Sequence, residues 1–438
     1  MRRKKLTLWR YKRQFLRKQK KYLRRIGRKT KRLKKRENTK IHKAYKVFNL
    51  MEFLDSKGFG KKSKSLRKTR TINVPEVFSF INNPDGAIDL LRQLFYHGTD
   101  KSVRKFYFNH SECKNLGICA STVMDVILME IKRQHVNSRR TFRLSGEMPS
   151  QGEIRDILEV SGLHKHMGIQ TPERSHIKKL ELIKGSKYKP QMSSGDVATQ
   201  VTNYFIECLK TQQLGLDGNG RQKISEMVGE VIDNCNLHGG DLSEWFTLGH
   251  YNLVDGTRYG QCHLVIFHWG MTIFESLKTA TNKKTTRSLN KLTRKHRRFF
   301  GGDWTEESLW TLYALQDGVS RLRNDKEPDR GTGTVRLIES FQSIGGTSTG
   351  DLPEMSITSG HTHIYFNSKY KMKEKQFGEE IRQVIAFNPT NDLNKPPDPE
   401  NIKILKNFFP GTVISMKFFL DRTFITKLME DGRNGNRS

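Results

Sequence analysis

Three polar residues at helical spacing are the part of this sequence best suited to chemistry. Glu230, Asn234 and His238 follow one another at intervals of four residues, which places them in a column along one face of an α-helix. The apolar residues of 224–235 recur at i, i+3, i+4, i+7, i+8 and i+11 and form a second face that would pack on a sheet. A carboxylate, an amide and an imidazole in one column can order a metal ion and a water molecule. The alternative interpretation is the charged solvent face of an ordinary amphipathic helix.

The segment GEVIDNCNLHGG, residues 229–240, resembles the E-x-x-x-N-x-x-x-H motif of the gyrase, heat-shock chaperone, histidine kinase and MutL (GHKL) superfamily of ATPases. The resemblance implies that Asn234 coordinates the Mg²⁺ that bridges the phosphates of ATP, since magnesium prefers oxygen ligands. It also implies that Glu230 is the general base that orients the attacking water. His238 would lie near the phosphates or near the lid that closes over them.

A strand and a turn that follow this segment resemble the first glycine box of the superfamily, D-x-G-x-G. Residues 263–267 (HLVIF) predict a buried strand, and His268 and Gly270 come directly after it. In the family the Asp accepts a hydrogen bond from the adenine amino group, but this sequence has His268 in its place and Thr272 where the second Gly is expected. A neutral His accepts through one ring nitrogen only. A different nucleotide, a water-bridged adenine contact and loss of binding therefore all remain open.

Residues 329–337 (DRGTGTVRL) resemble the second glycine box of the same superfamily. By this resemblance Gly331, Thr332 and Gly333 would cradle the phosphates. A side chain at a glycine position would block the approach of backbone amides, and the N-terminus of the helix that follows favours anions. Taken alone, the G-x-G pattern predicts only a loop.

The segment between the two glycine boxes corresponds to the ATP lid of the superfamily, and it is strongly basic. Closure over phosphates, contact with nucleic acid and a solvated, mobile loop are all open for it, since the spacing of the charges does not define one face. Its cationic residues are Lys283, Lys284, Arg287, Lys291, Arg294, Lys295, Arg297 and Arg298.

The length predicts two folded parts with extensions, and the helix and strand patterns predict an α/β chain. Residues 71–184 are interpreted as a small α/β regulatory domain that contacts a protein partner. Residues 185–196 predict a linker, because Gly, Ser, Lys and Pro concentrate there without hydrophobic periodicity. The resemblance implies that residues 197–425 form the ATP-binding domain, an α+β sandwich of the Bergerat type, and 426–438 would be a tail. The predicted helices are 89–96, 121–131, 151–160 and 335–343, and the further strands are 105–109, 141–144, 355–359, 361–367 and 411–420.

Residues 1–70 form a polybasic segment that holds 30 Lys and Arg residues and three acidic residues, in a chain of net charge +34. Like charges oppose collapse, so a disordered or conditionally helical arm is predicted. DNA or RNA is the expected partner, because each cation that neutralises a phosphate releases a counterion. A solvated tail or a localisation signal is the alternative. The candidate contacts are Arg2, Arg3, Lys4, Lys5, Arg24, Arg25, Lys34, Lys35 and Arg36.

The cysteines and the absence of long apolar runs indicate a cytoplasmic protein, and the basic arm indicates association with nucleic acid. Five cysteines form neither a disulfide framework nor a zinc-binding spacing. No run of eighteen apolar residues is present, so we expect no membrane span. An oligomer is compatible with these features.

The leading hypothesis is an ATP-dependent conformational switch with slow, magnesium-dependent hydrolysis, acting in a nucleic-acid-associated system such as antiviral defence. A histidine kinase would require a phosphoacceptor His on a helical hairpin before the ATP domain, and His164, His166 and His176 do not fit that pattern. The remaining alternative is a scaffold with a degenerate ATPase fold that binds nucleic acid through the arm.

Overall fold

A computed structural model describes residues 48–426, apart from 61–68, 148, 150, 164–166, 169–176, 187–191, 241–242, 254–258, 281, 320–332, 345 and 378–379. The candidate nucleic-acid contacts of the arm, Gly331 and Thr332 of the second glycine box, the three histidines weighed as phosphoacceptors and the tail from 427 lie outside the described residues. By its internal contacts the chain divides into Met1–Phe48 and one compact unit, Asn49–Ser438.

Helices and strands alternate along the described chain, which confirms the mixed α/β class. The helices are α1 (Leu50–Ser56), α2 (Pro84–Thr99), α3 (Ile118–Asn137), α4 (Gly152–Ser161), α5 (Ser194–Thr211), α6 (Gly218–His238), α7 (Ile273–Lys278), α8 (Lys283–His296), α9 (Glu306–Tyr313) and α10 (Gly333–Gln342). The strands are β1 (Thr69–Asn73), β2 (Val77–Phe78), β3 (Lys105–Asn109), β4 (Asn115–Leu116), β5 (Arg143–Gly146), β6 (Ile177–Ser186), β7 (Glu244–Leu253), β8 (Tyr259–Trp269), β9 (Glu354–Phe366), β10 (Lys373–Phe377), β11 (Glu380–Val384) and β12 (Ile402–Asp421). Among the described residues, no helix is both long and apolar enough to span a bilayer.

The largest sheet has five strands in the order β6-β7-β8-β12-β9, and its neighbouring strands are antiparallel. The strand predictions at 263–267 and 411–420 are confirmed by β8 and β12. The predictions at 355–359 and 361–367 fall on the single strand β9, which runs through the glycine at 360. The sheet therefore joins segments that are far apart in the sequence.

The strand β6 contains the first two residues of the predicted linker, Gly185 and Ser186. Gly185 lies opposite Trp245 of β7 in the strand register. A Cβ atom at Gly185 would lie 2.1 Å from a ring carbon of Trp245. Close packing under an indole ring, rather than chain flexibility, accounts for this glycine, and the linker prediction does not hold for these two residues.

One face of the five-stranded sheet is covered by α5, α6 and α10. Leu264 and Ile266 of β8 share a hydrophobic core with Val228 and Val231 of α6. The amphipathic helix predicted at 224–235 is confirmed, and it extends from an N-cap at Asp217, whose carboxylate accepts from the amide of Gly220. The polar column of this helix is thus fixed by the burial of its apolar stripe.

The N-terminal α/β module has a parallel sheet in the order β1-β3-β5, with α2 and α3 as the crossover connections. The alternation of KFYFN buries Phe106 and Phe108 and confirms the strand at 105–109. The helix predicted at 89–96 is confirmed within α2. It begins at Asn83, whose side chain accepts from the Gly86 amide, and Pro84 occupies its first turn.

This module covers the opposite face of the five-stranded sheet. Phe80 packs edge-on against Phe409 of β12, with 5.6 Å between ring centroids. The Asn407 amide of the same strand donates to the Asp85 carboxylate over 3.0 Å. The sheet is therefore a middle layer, and the two folded parts predicted from the sequence are packed together in one compact unit.

The folded unit begins before the boundary predicted for the arm at residue 70. The helix α1 buries Leu50, Met51 and Leu54, and Phe59 lies edge-on to Trp269 of β8, at 6.4 Å between ring centroids. This packing corrects the arm boundary to about residue 49. Four large apolar residues hold the segment in the core, and averaging over a highly charged window conceals them.

Candidate functional site

A cavity of about 130 Å³ lies between the five-stranded sheet and the helices α6, α7 and α10. Its walls are mainly aliphatic and contain a few polar groups, as is usual for sites that bind small organic ligands. The aliphatic residues are Val231, Ile273, Leu277, Leu315, Val319, Leu337, Ile357 and Ile414, and the polar ones are Asn234, His238, His268, Thr272, Ser276, Thr334 and Thr412. Gly333 also borders the cavity, so four predicted site residues meet at one place.

The polar column of α6 is only partly directed to the cavity. Asn234 and His238 line it, whereas Glu230, one turn earlier, pairs with Arg336 of α10, with 2.8 Å between Oε1 and Nη1. The Glu230 side chain is 31% exposed. Burial raises the pKa of its carboxyl above the ordinary value, and the nearby Arg336 guanidinium opposes this shift. Glu230 is therefore held beside the cavity by an ion pair.

Gly333, the first residue of α10, packs directly on the polar column. A Cβ atom at this position would lie 2.5 Å from Oε2 of Glu230 and 3.2 Å from Nδ2 of Asn234. Any side chain would displace one of these groups. The segment that contains Gly333 is therefore in contact with the part of α6 that carries Glu230 and Asn234.

His268, at the predicted position of the adenine contact, is buried at the end of β8. It lies opposite Thr412 of β12 in the strand register and borders the cavity. Its Nδ1 atom has no hydrogen-bond partner among the described residues. Burial lowers the pKa of the imidazole to about 4, and the nearby His238 adds to this effect. His268 is therefore neutral near pH 7, and one of its ring nitrogens can accept a hydrogen bond from a ligand.

Position 270 requires glycine because of close backbone packing beside the cavity, and Gly270 itself does not contact the cavity. Its φ is +152°, and a Cβ atom there would lie 2.0 Å from the carbonyl oxygen of Gly239 at the end of α6. The Met271 amide donates to the same carbonyl over 2.9 Å. Met271 and Thr272 line the cavity, and Gly270 does not. Its predicted place in the binding site is therefore corrected to the junction between β8 and α6.

Thr272, which stands where the family has a second glycine, caps the short helix α7. Its hydroxyl accepts from the Glu275 amide, and the Glu275 carboxylate accepts from the Thr272 amide, which is a capping box. Ser276 of the same helix contacts His238, with 3.3 Å between Oγ and Nδ1. These contacts fix α7 against the end of α6, so one wall of the cavity is preformed.

Thr412 is a cavity residue that the sequence motifs did not single out. Its hydroxyl lies 3.0 Å from the Ser359 hydroxyl, which in turn accepts from the Ile273 amide and donates to the Gly411 carbonyl. Thr412 is thereby positioned beside His268 by a network that links β9, β12 and α7. The Gly-Thr pair at the start of the strand predicted at 411–420 was the available signal.

The described residues contain no group of three or more His, Cys, Asp or Glu side chains that could hold a metal ion. A magnesium ion that arrives on nucleotide phosphates needs only one or two protein oxygens, because it keeps most of its water ligands. The side-chain oxygen of Asn234 fits that requirement.

Comparison with protein-family models, with curated proteins and with solved structures found no match.

Proposed function

We propose that the chain binds a magnesium-bound purine nucleoside triphosphate, in the first place ATP, in the cavity beside His268, and that it acts as a nucleotide-dependent switch with slow hydrolysis. The observation that supports this most is the contact of Gly333 with both Glu230 and Asn234, at the edge of an aliphatic cavity that contains a neutral His268. The layer of α5, α6 and α10 on an antiparallel sheet is then a Bergerat-type domain, as the sequence motifs suggest.

The purine base of the nucleotide would occupy the aliphatic part of the cavity. Ile357 and Ile414 of the sheet and Val231 and Leu337 of the helices offer flat apolar contacts to a purine ring. His268 would accept a hydrogen bond from the adenine amino group through its unpartnered ring nitrogen. A buried acceptor without a partner has a free-energy cost of about 1–3 kcal/mol, and this bond would remove it.

The phosphates would lie toward the first turn of α10. Backbone amides at the start of a helix attract anions, and the absence of a side chain at Gly333 keeps this approach open. Asn234 would supply an oxygen ligand to magnesium, and the ion would neutralise phosphate charge. The neighbouring Thr334 and His238 supply further polar groups at the cavity wall.

Glu230 is the proposed general base of hydrolysis. Its raised pKa favours proton acceptance, but the carboxylate is bound to Arg336. An ion pair of this kind holds the carboxylate away from an attacking water until it is released. We therefore propose that hydrolysis is slow and that bound nucleotide persists as the signal of the switch.

The switch would act in a nucleic-acid-associated complex, in which the basic arm supplies affinity for phosphate backbones and the N-terminal α/β module contacts a protein partner. The support for the arm is its composition alone. The module packs on the same sheet whose other face carries the cavity, so a change at β8 or β12 would reach it directly.

A second candidate function is a nucleotide-independent scaffold. The observation that favours it is His268 in place of the family's Asp, together with the engagement of Glu230 by Arg336. In that case the cavity would be a remnant and nucleic-acid binding would be the whole activity.

Titration calorimetry of the full chain with ATP and Mg²⁺, combined with thermal unfolding, separates the two functions. We expect binding by the wild type, with a rise of Tm. Asn234→Ala should weaken ATP binding by about tenfold or more, because the bound magnesium ion would lose its proposed protein oxygen ligand. Asn219→Ala, an exposed position on the first turn of the same helix, is the matched control. Wild-type protein that shows neither heat nor a Tm shift with ATP or GTP would establish the scaffold.

A further inference from the structure

The basic helix α8 is held in place by its inner face. Leu289 and His296 are buried, and the Trp304 indole donates to Nδ1 of His296 over 3.0 Å. The Trp310 indole of α9 donates to the Thr293 hydroxyl over 2.9 Å. This segment is therefore a docked helix, and the mobile-loop alternative that its charge left open is excluded for Lys283–His296.

The outer face of α8 is a row of cations. Lys283, Arg287, Lys291 and Arg294 are separated by four, four and three residues, which places them on one side of a helix, and all four are exposed. The helix contains no acidic residue, and none of these four side chains has an ion pair with a described residue. The row from Lys283 to Arg294 is eleven helical steps long, about 17 Å, which is enough to contact several consecutive phosphates of a nucleic-acid strand.

A cleft of about 380 Å³ continues this row toward the hairpin β10–β11. Lys291 and Lys295 line it from α8, and Lys375 and Arg382 line it from the hairpin. The cleft also contains two carboxylates, Asp317 and Asp392, which are fewer than its four cations, so its net charge is positive. We refer to the outer face of α8 and this cleft together as the α8 surface.

We propose that the α8 surface binds the sugar-phosphate backbone of a nucleic acid, as a second contact site in addition to the basic arm. Anionic lipid is the less suitable partner, because an interfacial helix inserts an apolar face into the membrane. The apolar side of α8 is buried against α9 and the loop at Leu393, and the positions between the outer cations are polar, Thr286 and Asn290. This proposal does not depend on nucleotide binding.

Acetylation of the full chain, read by mass spectrometry with and without a saturating mixed-sequence oligonucleotide, tests the contact directly. We expect Lys283 and Lys291 to react more slowly in the complex, and the exposed Lys101, Lys114 and Lys210 to react equally in both samples. Equal rates at Lys283 and Lys291 would overturn the proposal. So would protection of these two lysines by phosphatidylserine vesicles but not by the oligonucleotide.

A triple variant, Lys283→Gln, Arg287→Gln and Lys291→Gln, provides the quantitative test. Each lost phosphate contact lowers the salt slope of binding by about 1, so the slope of the full chain should fall by about 3. The matched control removes the same charge elsewhere, with Lys101→Gln, Lys114→Gln and Lys210→Gln, and should keep the wild-type slope. An equal change in the two variants would mean that only net charge matters, and this result would also overturn the proposal.

Discussion

The guanidinium of Arg336 in α10 donates to Oε1 of Glu230 in α6 over 2.8 Å, and it also lies 3.6 Å from the carboxylate of Glu226, one turn earlier. This contact ties α10 to α6, the helix that carries the proposed general base. A carboxylate engaged by Arg accepts a proton from water less readily. Arg336 is therefore a restraint on the proposed hydrolysis.

Replacing Arg336 with Gln should speed hydrolysis by about two- to fivefold, because a half-exposed ion pair contributes about 0.4–1 kcal/mol. Single-turnover phosphate release, with the protein in excess over ATP and above its Kd, measures this rate. Arg336→Lys should keep the slow rate, and Glu230→Gln should abolish hydrolysis in either background. A slower reaction in Arg336→Gln with unchanged ATP affinity would instead make Arg336 a catalytic group.

Gly333→Ala should weaken ATP binding by about tenfold or more. The new Cβ atom would overlap the Glu230 carboxylate and crowd Asn234, and overpacking of this kind typically costs about 1–3 kcal/mol. Gly229→Ala is the control, because a Cβ atom there meets no other atom within 4 Å. It should leave binding intact and raise the free energy of unfolding by about 0.5–1 kcal/mol. Calorimetry and urea unfolding measure the two effects, and unchanged affinity in Gly333→Ala would contradict the site.

His268→Asp should increase the preference for ATP over GTP by about fivefold or more. A carboxylate only accepts hydrogen bonds, whereas a neutral imidazole presents an acceptor or a donor according to its tautomer, and a charged acceptor adds about 1 kcal/mol. Competition binding of the two nucleotides measures the ratio. Since the pKa of His268 is about 4, wild-type affinity should be constant between about pH 6 and 8. A loss of affinity with a midpoint near pH 6.5 that His268→Gln abolishes would show that His268 titrates in the usual range and is not the acceptor described here.

The stability of the protein should fall in mild acid because the fold keeps several histidines neutral. Burial lowers the pKa of His250 to about 4 and that of His363 to about 3. In the unfolded chain each histidine has a pKa of about 6.5, so it binds a proton at a higher pH than it does in the folded protein. The contribution of these histidines to the free energy of unfolding is therefore fully present above about pH 6.5 and is lost progressively as the pH falls toward 4.

His250→Phe should flatten this acid dependence in urea unfolding. Both ring nitrogens of His250 are buried without a partner among the described residues, and the ring stacks on His263 at 5.9 Å between centroids. Phe keeps the stacked ring and removes the titration. A pH slope equal to that of the wild type would show that other groups dominate acid unfolding.

Removal of residues 1–47 should leave the fold intact and lower nucleic-acid affinity and its salt dependence, because most of the basic arm is lost. Removal of residues 1–70 should in addition lower Tm strongly. It deletes α1, whose Leu50 and Leu54 are buried, and Phe59, which contacts Trp269. Circular dichroism and filter binding compare the two truncations. Equal Tm values would contradict the assignment of α1 to the core.

Local spacing was sufficient for some of the helices and strands and for the polar column of α6. The positions of Glu230, Asn234 and His238 follow from helix geometry once the apolar stripe of the same helix is recognised. The strands β3 and β8 were likewise visible, because alternating or continuous apolar residues signal burial within a few positions.

What the tertiary structure alone decided is the role of residues whose partners are remote in the chain. Gly185 lies under Trp245, and Gly270 lies against Gly239. Close packing therefore requires glycine at these two positions, rather than a loop or a ligand. His268 meets Thr412 only because β8 pairs with β12 across more than a hundred residues. Such contacts form when the layers bury their apolar surfaces against one another. A short stretch of sequence does not contain both partners, so local patterns cannot predict these contacts.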